Sequence, residues 1–402
     1  MTPRRAHHIS RKGAMETQIL VTLTNFGMVT SLTMVAPLLV DLSREFRISV
    51  ATAGLLAAAS AVPQALASPF AGLLSDRFGR RPMIVAALTA VGALTLAGAA
   101  VPSFVALLVL RLLAGLLGSC GPTSLMASIG DLSPREHRSQ AMAWFNMGFG
   151  LAAIAGVPVV GALAGFLGWR AAFAITGLGL LASSALVRLR FPAAPPVAAD
   201  IRATEPYRAV LTAPGLLSFL SSNFIERSMY ATIIFYLPAF LMQHYRLTTI
   251  EVAPLLSVVA GGLIAGNLFG GWLGDRLSKP VIFIASQTVA GILGLLLFEL
   301  DLRLATAVLL AVVVALANAA SRPGVLAYGS ELAPGRRGAL FGLMGLTNQG
   351  GLGLGSLLGA AALTIGSYQA IAIVVACQGL VASTLAFPLL ARRQPRSERP
   401  SC

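Results

Sequence analysis

Charged residues are scarce in this sequence: Asp, Glu, Lys and Arg together make up 11% of its 402 residues. A water-soluble domain usually carries about 25%. Hydrophobic residues account for 56% of the chain, and the mean hydropathy is +0.81. So little polar surface cannot cover a particle of this size in water. The composition therefore excludes a soluble globular protein and indicates one whose solvent is lipid.

Cysteine is also rare, and the three that occur, Cys120, Cys377 and Cys402, show no metal-ligand or disulfide spacing. The sequence contains no Gly-rich phosphate loop that ends in Lys-Ser or Lys-Thr, and no cluster of zinc ligands. We therefore expect neither an enzyme nor an ATPase, and no cofactor. The energy that the protein uses must therefore come from an ion gradient or from the substrate's own gradient.

Acidic residues are few, with 15 Asp and Glu against 29 Lys and Arg, which gives a formal net charge of +14. Such an excess would suit nucleic-acid binding. However, the basic residues lie in short loops and tails between apolar runs. This distribution is typical of membrane proteins, so we expect lipid and no nucleic acid as a partner.

Apolar runs of about 20 residues, each long enough to cross a bilayer as a helix, recur through the chain. They predict twelve spans, near 17–40, 51–73, 83–101, 104–128, 139–165, 170–190, 215–241, 249–274, 280–300, 303–328, 338–364 and 368–391. The chain then divides into a basic tail (1–16), an N-terminal six-helix bundle (17–190), a linker (191–213), a C-terminal six-helix bundle (214–391) and a second basic tail (392–402).

The arginines and lysines are divided unequally between the two sets of loops. The tails and the loops after even-numbered spans hold 21, the opposite loops hold five, and three lie within spans. By the positive-inside rule, both termini face the cytoplasm. The sequence therefore predicts a multi-pass protein of a bacterial inner membrane, which we expect to act as a monomer.

The two halves of the chain repeat one another at a spacing of 198 to 200 residues. The matching segments are GLLSDRFGRR (72–81) with GWLGDRLSK (271–279), DLSPREHR (131–138) with ELAPGRR (331–337), and Asn-Phe at 25–26 with Asn-Phe at 223–224. Internal repeats of this kind are typical of secondary transporters, which bind their substrate between the halves near the membrane midplane.

The segment at 72–81 resembles the signature loop between the second and third helices of the major facilitator superfamily. The residues that carry the resemblance are Gly72, Asp76, Arg77, Gly79, Arg80 and Arg81, and the degenerate second copy keeps Gly271, Asp275 and Arg276. The resemblance implies an all-α membrane protein with twelve transmembrane helices in two pseudo-symmetric six-helix bundles. Within the family, the chain is most similar to the twelve-helix bacterial drug:proton antiporters and sugar-efflux permeases.

These residues predict a gate at the cytoplasmic face. Gly72 would let helices approach closely. The arginines can pair with acids at neighbouring helix ends, for which Asp131 and Glu136 are candidates, with Glu331 as the counterpart of Asp131 in the second half. Such pairs would hold one face shut and break when the halves rock. The alternative is that the arginines only anchor the topology.

Two further segments of the first half resemble motifs of the family. Arg111-x-x-x-Gly115 in the fourth span resembles its buried-arginine motif, which implies a part in proton coupling. The alternative is that Arg111 snorkels towards the periplasmic edge. GVPVVGALAG (156–165) in the fifth span resembles the proline-glycine motif of exporters, although Val157 precedes Pro158 where the motif has Gly. The alternative for this segment is a Gly-rich helix contact.

Four ionisable residues lie inside spans, where a charge costs at least about 2.5 kcal/mol: Arg111, Glu226, Arg227 and Arg322. Glu226 is about eleven residues into the seventh span, near mid-membrane, where a carboxyl group could take up and release a proton. The alternative is a structural ion pair with an arginine of another helix. Arg227 points about 100° away, so we do not expect it to be the partner. Arg322 is expected to pair with Glu331 or to bind substrate.

The first span carries no acid between Thr24 and Pro37, unlike that of many drug:proton antiporters of the family. We therefore expect three arginines and one glutamate around the cavity, a balance that favours anions over lipophilic cations. The residues expected to line the cavity are Gln64, Arg227, Tyr230, Arg322, Asn348 and Gln349.

The leading hypothesis is a secondary active transporter that works by alternating access and couples the efflux of small amphipathic molecules to protons. Two alternatives stay open: proton-coupled uptake or export of a small organic anion, and a membrane sensor of the same fold that does not transport. Gate motifs in both halves argue against the sensor.

Overall fold

The structure, a computed structural model, describes residues 11–132, 138–192, 214–274, 276–332 and 337–390. These residues form twelve long helical segments, α1 to α12, and no strand. Eight are continuous: α2 (Val50–Phe78), α3 (Arg80–Gly98), α6 (Trp169–Arg190), α7 (Leu216–His244), α8 (Thr249–Gly274), α9 (Lys279–Glu299), α11 (Arg337–Ile365) and α12 (Tyr368–Ala386). The twelve segments correspond one to one to the predicted spans.

The other four segments are each built from two helical pieces. They are α1 (Arg11–Thr33 and Leu39–Phe46), α4 (Phe104–Gly118 and Cys120–Leu132), α5 (Arg138–Leu151 and Val157–Leu167) and α10 (Leu304–Ala320 and Arg322–Leu332). Pro37 lies in the short 3-10 turn that breaks α1, and Pro158 follows the π-helical turn that breaks α5. Proline lacks the N–H that a continuous helix needs, so the first span bends there and runs beyond its predicted end.

Ten of these segments are long and apolar enough to cross a membrane. The other two are α7 and α11, which are 29 residues each and therefore also long enough. Both carry polar groups at mid-helix: Glu226 and Arg227 in α7, and Asn348 and Gln349 in α11. These two helices pack against each other, so each covers polar groups of the other.

The two halves repeat in three dimensions as well as in sequence. Helix α3 packs on α6 as α9 packs on α12. Thr89 and Ser184 share a hydrogen bond of 2.8 Å, and Thr288 and Ser383, each 199 residues later, share one of 2.9 Å. Both serines also donate to a backbone carbonyl on the facing helix. The repeat confirms the two pseudo-symmetric bundles, and its Thr–Ser pairs were not predicted.

The apolar core shows how the halves meet. We call the end of the bundle at which α1 begins the terminal end, and the other end the opposite end. At the opposite end, one cluster of buried side chains contains residues of both halves, among them Leu39, Phe173, Tyr236 and Phe240. At the terminal end, each half has a cluster of its own. The described apolar core is therefore shared by the halves at the opposite end and divided between them at the terminal end, while α2 and α11 also pack on each other across the halves.

Two specific contacts close the opposite end. The ring of Tyr236 on α7 lies against Gly359 of its own half, and its hydroxyl group reaches Gly54 of the other half; a Cβ at either glycine would overlap the tyrosine. The Tyr236 hydroxyl donates to the Ser356 carbonyl at 2.8 Å. Beside it, Thr249 at the start of α8 donates to the Asp41 carboxylate of α1 at 2.8 Å.

Removing the bond between Asp41 and Thr249 is expected to loosen the opposite end. Either Asp41→Ala or Thr249→Val deletes one hydrogen bond to a charged group, worth about 1.5–3 kcal/mol. The population that is open at this end should then rise about tenfold or more. Spin labels at the exposed positions Arg47 and Arg246 would report the distance between the halves. The double variant should match either single variant, and additive shifts would contradict this assignment.

Candidate functional site

The centre of the C-terminal half contains a cluster of charged residues built around Glu226. Glu226 lies about 15 Å from the start of α7 and is fully buried. Arg227, the next residue, donates from Nε to Glu226 Oε2 at 2.6 Å and from Nη2 to Oε1. The two side chains therefore form a bidentate ion pair within a single helix.

A second arginine reaches Glu226 from α10. Arg322 begins the second helical piece of α10, and its Nη1 donates to Glu226 Oε2 at 3.2 Å. The same nitrogen donates to Asn223 Oδ1 at 3.0 Å. Glu226 is thus paired with an arginine of another helix, as one of the two sequence alternatives predicted.

The expectation that Arg227 does not pair with Glu226 is wrong, and the expected pairing of Arg322 with Glu331 stays a prediction. Arg227 is a partner of Glu226, although the two Cα–Cβ directions diverge by about 100°, because the long side chain bends back over the helix surface. Its guanidinium group also stacks on the Tyr230 ring, 4.6 Å from the ring centroid. Arg322 pairs with Glu226, whereas the side chain of Glu331 lies outside the described residues.

Amide side chains surround the charged cluster. Asn223 donates to Thr347 Oγ1 at 2.9 Å and to Asn348 Oδ1 at 3.0 Å, which ties α7 to α11. On α10, Asn318 donates to Gln287 Oε1 of α9 at 3.1 Å. Of these amides, only Asn348 was predicted to belong to the site. Their position inside apolar spans was a signal, but which amides meet depends on tertiary packing.

An apolar pocket adjoins the cluster. It encloses about 610 Å³ including its open mouth and is lined by Ala153, Val157, Tyr230, Ile233, Ile234, Leu237, Pro238, Leu256, Val259, Ala260, Leu263, Ala315 and Asn318. The lining comes from α5 of the first half and from α7, α8 and α10 of the second. The pocket therefore lies between the halves, where repeat-built transporters bind their substrates.

The predicted cavity residues fall into two groups. Tyr230 lines the pocket, and Arg227 and Arg322 belong to the charged cluster next to it. Gln64, Asn348 and Gln349 are not among the lining residues. Asn348 instead accepts a hydrogen bond from Asn223, and Gln349 Oε1 is buried without a described partner.

Arg111 lies apart from this cluster, inside the N-terminal half. It is buried, donates to the Ser31 carbonyl of α1 at 2.8 Å and stacks on the Phe173 ring of α6 at 4.6 Å. Its Nη2 is buried with no partner among the described residues. Arg111 therefore does not snorkel to the membrane edge, and the expected group of three arginines around one cavity is divided between the halves.

Four of the gate arginines make described contacts within their own half. Arg80 donates to Ser75 Oγ at 3.0 Å, Arg81 donates to the Arg188 carbonyl, and Arg77 and Arg276 stack on neighbouring aromatic rings. Gly79 has a φ of 90°, which favours glycine. Gly72 and Gly271 face no described atom within 4 Å, so the described residues show no close approach at Gly72.

The contacts of the acidic gate residues are not part of the described structure. Asp275 and Glu136, and the side chains of Asp76, Asp131 and Glu331, lie outside the described residues. The gate therefore stays a prediction from the sequence.

The proline-glycine segment of α5 makes close helix contacts. A Cβ at Gly156 would overlap Thr30 of α1, and one at Gly165 would overlap Ile250 of α8. These contacts favour the Gly-rich packing alternative for this segment in the present conformation.

Comparison with known sequences assigns the family. The sequence profile described as Major Facilitator Superfamily matches residues 21–300 and, in a second match, residues 219–401. The protein belongs to the major facilitator superfamily. Members of this superfamily are membrane transporters. The protein is therefore a multi-pass transporter and not an enzyme.

Individual relatives agree with the assignment. The chloramphenicol resistance protein of Streptomyces lividans is 27% identical over 268 residues, which cover 64% of this chain and 67% of the relative. The inner membrane transport protein YdhP of Escherichia coli strain K12 is 29% identical over 255 residues, or 62% of this chain and 64% of the relative. The matches thus span about two thirds of these relatives' lengths.

Solved structures agree on the fold. A bacterial homologue of the human lysosomal transporter Spinster, in an inward-facing and unoccupied conformation, superposes with a TM-score of 0.79. The match covers 96% of this superfamily protein and 100% of the homologue at 17% sequence identity. At that identity the likeness establishes the shared fold.

Proposed function

We propose that this protein is a proton-coupled secondary transporter that exports small amphipathic molecules by alternating access. Glu226 carries the proposal. Of the 15 acids in the sequence, it alone lies in the middle of a span, and it is fully buried beside the pocket between the halves. Burying an ionisable group at that depth costs free energy. Residues of this kind therefore mark ion or proton pathways.

The pocket supports an amphipathic substrate. Most of its lining is aliphatic, and its polar members, Tyr230 and Asn318, each lie about one helical turn from the charged cluster, on α7 and α10. Pockets of this kind hold an apolar body and orient it through a few polar contacts. Export is supported by similarity to a protein named for chloramphenicol resistance.

The arrangement of the apolar cores supports an inward-open state of the transport cycle. With both termini in the cytoplasm, as the positive-inside rule indicates, the separate cores of the terminal end face the cytoplasm. We infer an inner-membrane monomer whose pocket opens inward and whose periplasmic side is closed by Tyr236 and by the bond between Asp41 and Thr249. The arginines of the 72–81 segment would then close the cytoplasmic side when the halves rock.

Proteoliposomes with an imposed pH gradient test the proposal. Gradient-driven movement of chloramphenicol, or of another compound from a panel of amphipathic antibiotics, is expected with the wild-type protein and should be abolished in Glu226→Gln. Glu299→Gln removes an exposed acid at the end of α9 and should leave transport unchanged. Wild-type rates in Glu226→Gln would refute the proton site, and no transport of any panel member would refute export of amphipathic compounds.

A further inference from the structure

We infer that the substrate carries a negative charge, which Arg322 binds through the edge of its guanidinium group that the protein itself leaves open. This inference rests on the proposed function, because it names the substrate class of the same pocket.

The charged cluster carries a net charge of +1. Arg227 and Arg322 contribute two positive charges, and Glu226 contributes one negative charge. Every other acid in the sequence lies at the end of a span, in a loop or in a tail. An unbalanced charge in the hydrocarbon is unfavourable, and a bound anion would neutralise it. A lipophilic cation would raise the local charge to +2.

The two arginines differ in which of their N–H groups have an acceptor among the described residues. Arg227 binds both oxygens of Glu226 with Nε and Nη2 and lays its face on Tyr230. Arg322 uses Nη1 alone for Glu226 and Asn223. Its Nε and Nη2 have no acceptor among the described residues, and the side chain is 18% exposed. This edge of a guanidinium group matches the two oxygens of a carboxylate, so Arg322 can bridge Glu226 and a second anion.

Arg322, which carries this open edge of Nε and Nη2, lies next to the pocket. On α7, Tyr230 follows Glu226 by four residues, and on α10, Asn318 precedes Arg322 by four. Tyr230 and Asn318 line the pocket. Because four residues span about 6 Å of helix, the charged cluster lies one turn towards the terminal end from the pocket on both helices.

The pocket then continues away from the charges. From Tyr230 to Leu237 it follows α7 for about 10 Å towards the opposite end, with aliphatic side chains around it. The arrangement suits a molecule with an anionic head at Arg322 and an apolar body about 10 Å long. We therefore assign the site to monoanionic amphiphiles such as aryl or medium-chain carboxylates.

Binding of three matched probes to the full-length protein in lipid nanodiscs tests the inference. The probes are 2-naphthylacetate, 2-naphthylacetamide and 2-(2-naphthyl)ethylamine, which share a ring system and differ in charge. The carboxylate should bind at least about tenfold more tightly than the amide, and the amine most weakly. In Arg322→Gln the preference for the carboxylate should fall to within about twofold.

Two further variants keep this test decisive. Arg322→Lys preserves a positive charge beside Glu226 but loses the planar edge, so it should fold and retain only part of the preference. Arg303→Gln removes an exposed positive charge from the start of α10 and should leave the preference intact.

Equal binding of the carboxylate and the amide, an unchanged preference in Arg322→Gln, or no binding of any probe would each overturn the inference. Gradient-driven transport that depends on Glu226 would still support the proposed function in those cases. The two proposals can therefore fail separately.

Discussion

Replacing Glu226 by Gln is expected to destabilise the folded protein by about 3–5 kcal/mol. The substitution preserves the shape of the side chain but leaves Arg227 and Arg322 buried without a counter-ion. Removing one partner of a buried ion pair costs much more than the pair contributes in net stability, because the remaining charge is stranded. Reversible unfolding of the purified protein in mixed micelles, followed by circular dichroism, would measure the loss.

A double variant provides the control for this prediction. Adding Arg322→Gln to Glu226→Gln removes one of the stranded charges, so the double variant should be less destabilised than the sum of the two single variants. The expected coupling is about 0.5–3 kcal/mol. Additive losses would show that Arg322 and Glu226 do not interact as the structure indicates.

Replacing Gly355 by Ala is expected to have the second large effect. Gly355 of α11 packs against α7 so closely that a Cβ would overlap the backbone carbonyl oxygen of Ser228. Backbone atoms of a packed helix cannot rotate away, so the two helices must separate. A loss of about 1–3 kcal/mol or more is expected, in line with the cost of overpacking a core.

Gly345 of the same helix is the matched control. A Cβ at Gly345 meets no described atom within 4 Å. Gly345→Ala should therefore leave stability unchanged or raise it by up to about 1 kcal/mol, since Ala favours the helix more than Gly does. Thermal unfolding midpoints of the two variants would decide the matter. A similar shift in both would contradict the close approach of α7 and α11.

Helix number and order were predictable because a membrane span has a simple physical signature. Helices α7 and α11 are not apolar enough to be recognised as membrane spans by composition. Even these two are long and are bounded by polar loops. The end of the first span was misplaced because hydropathy does not register the turn at Pro37, beyond which α1 resumes as far as Phe46. The repeat in sequence correctly predicted the repeat in structure.

The site was predictable in its residue types and less so in its pairings. Burial of Glu226, Arg227 and Arg322 in spans marked them as important, because charges are costly there. Which charges pair depends on side-chain conformation, as the contact between Glu226 and Arg227 shows. The link through Asn223 to α11 depends on how helices more than 120 residues apart in sequence pack together. No local pattern specifies such contacts.

The pairing of Glu226 with its own neighbour also has a consequence for biosynthesis. Helix α7 leaves the ribosome and enters the membrane before α10 has been made, so Arg322 is not yet there to neutralise Glu226. Because Arg227 binds both carboxylate oxygens from within the same helix, α7 can insert as an electrically neutral unit, which lowers the cost of placing two charged residues in the bilayer. The later arrival of α10 then adds the positive charge that makes the mature cluster unbalanced.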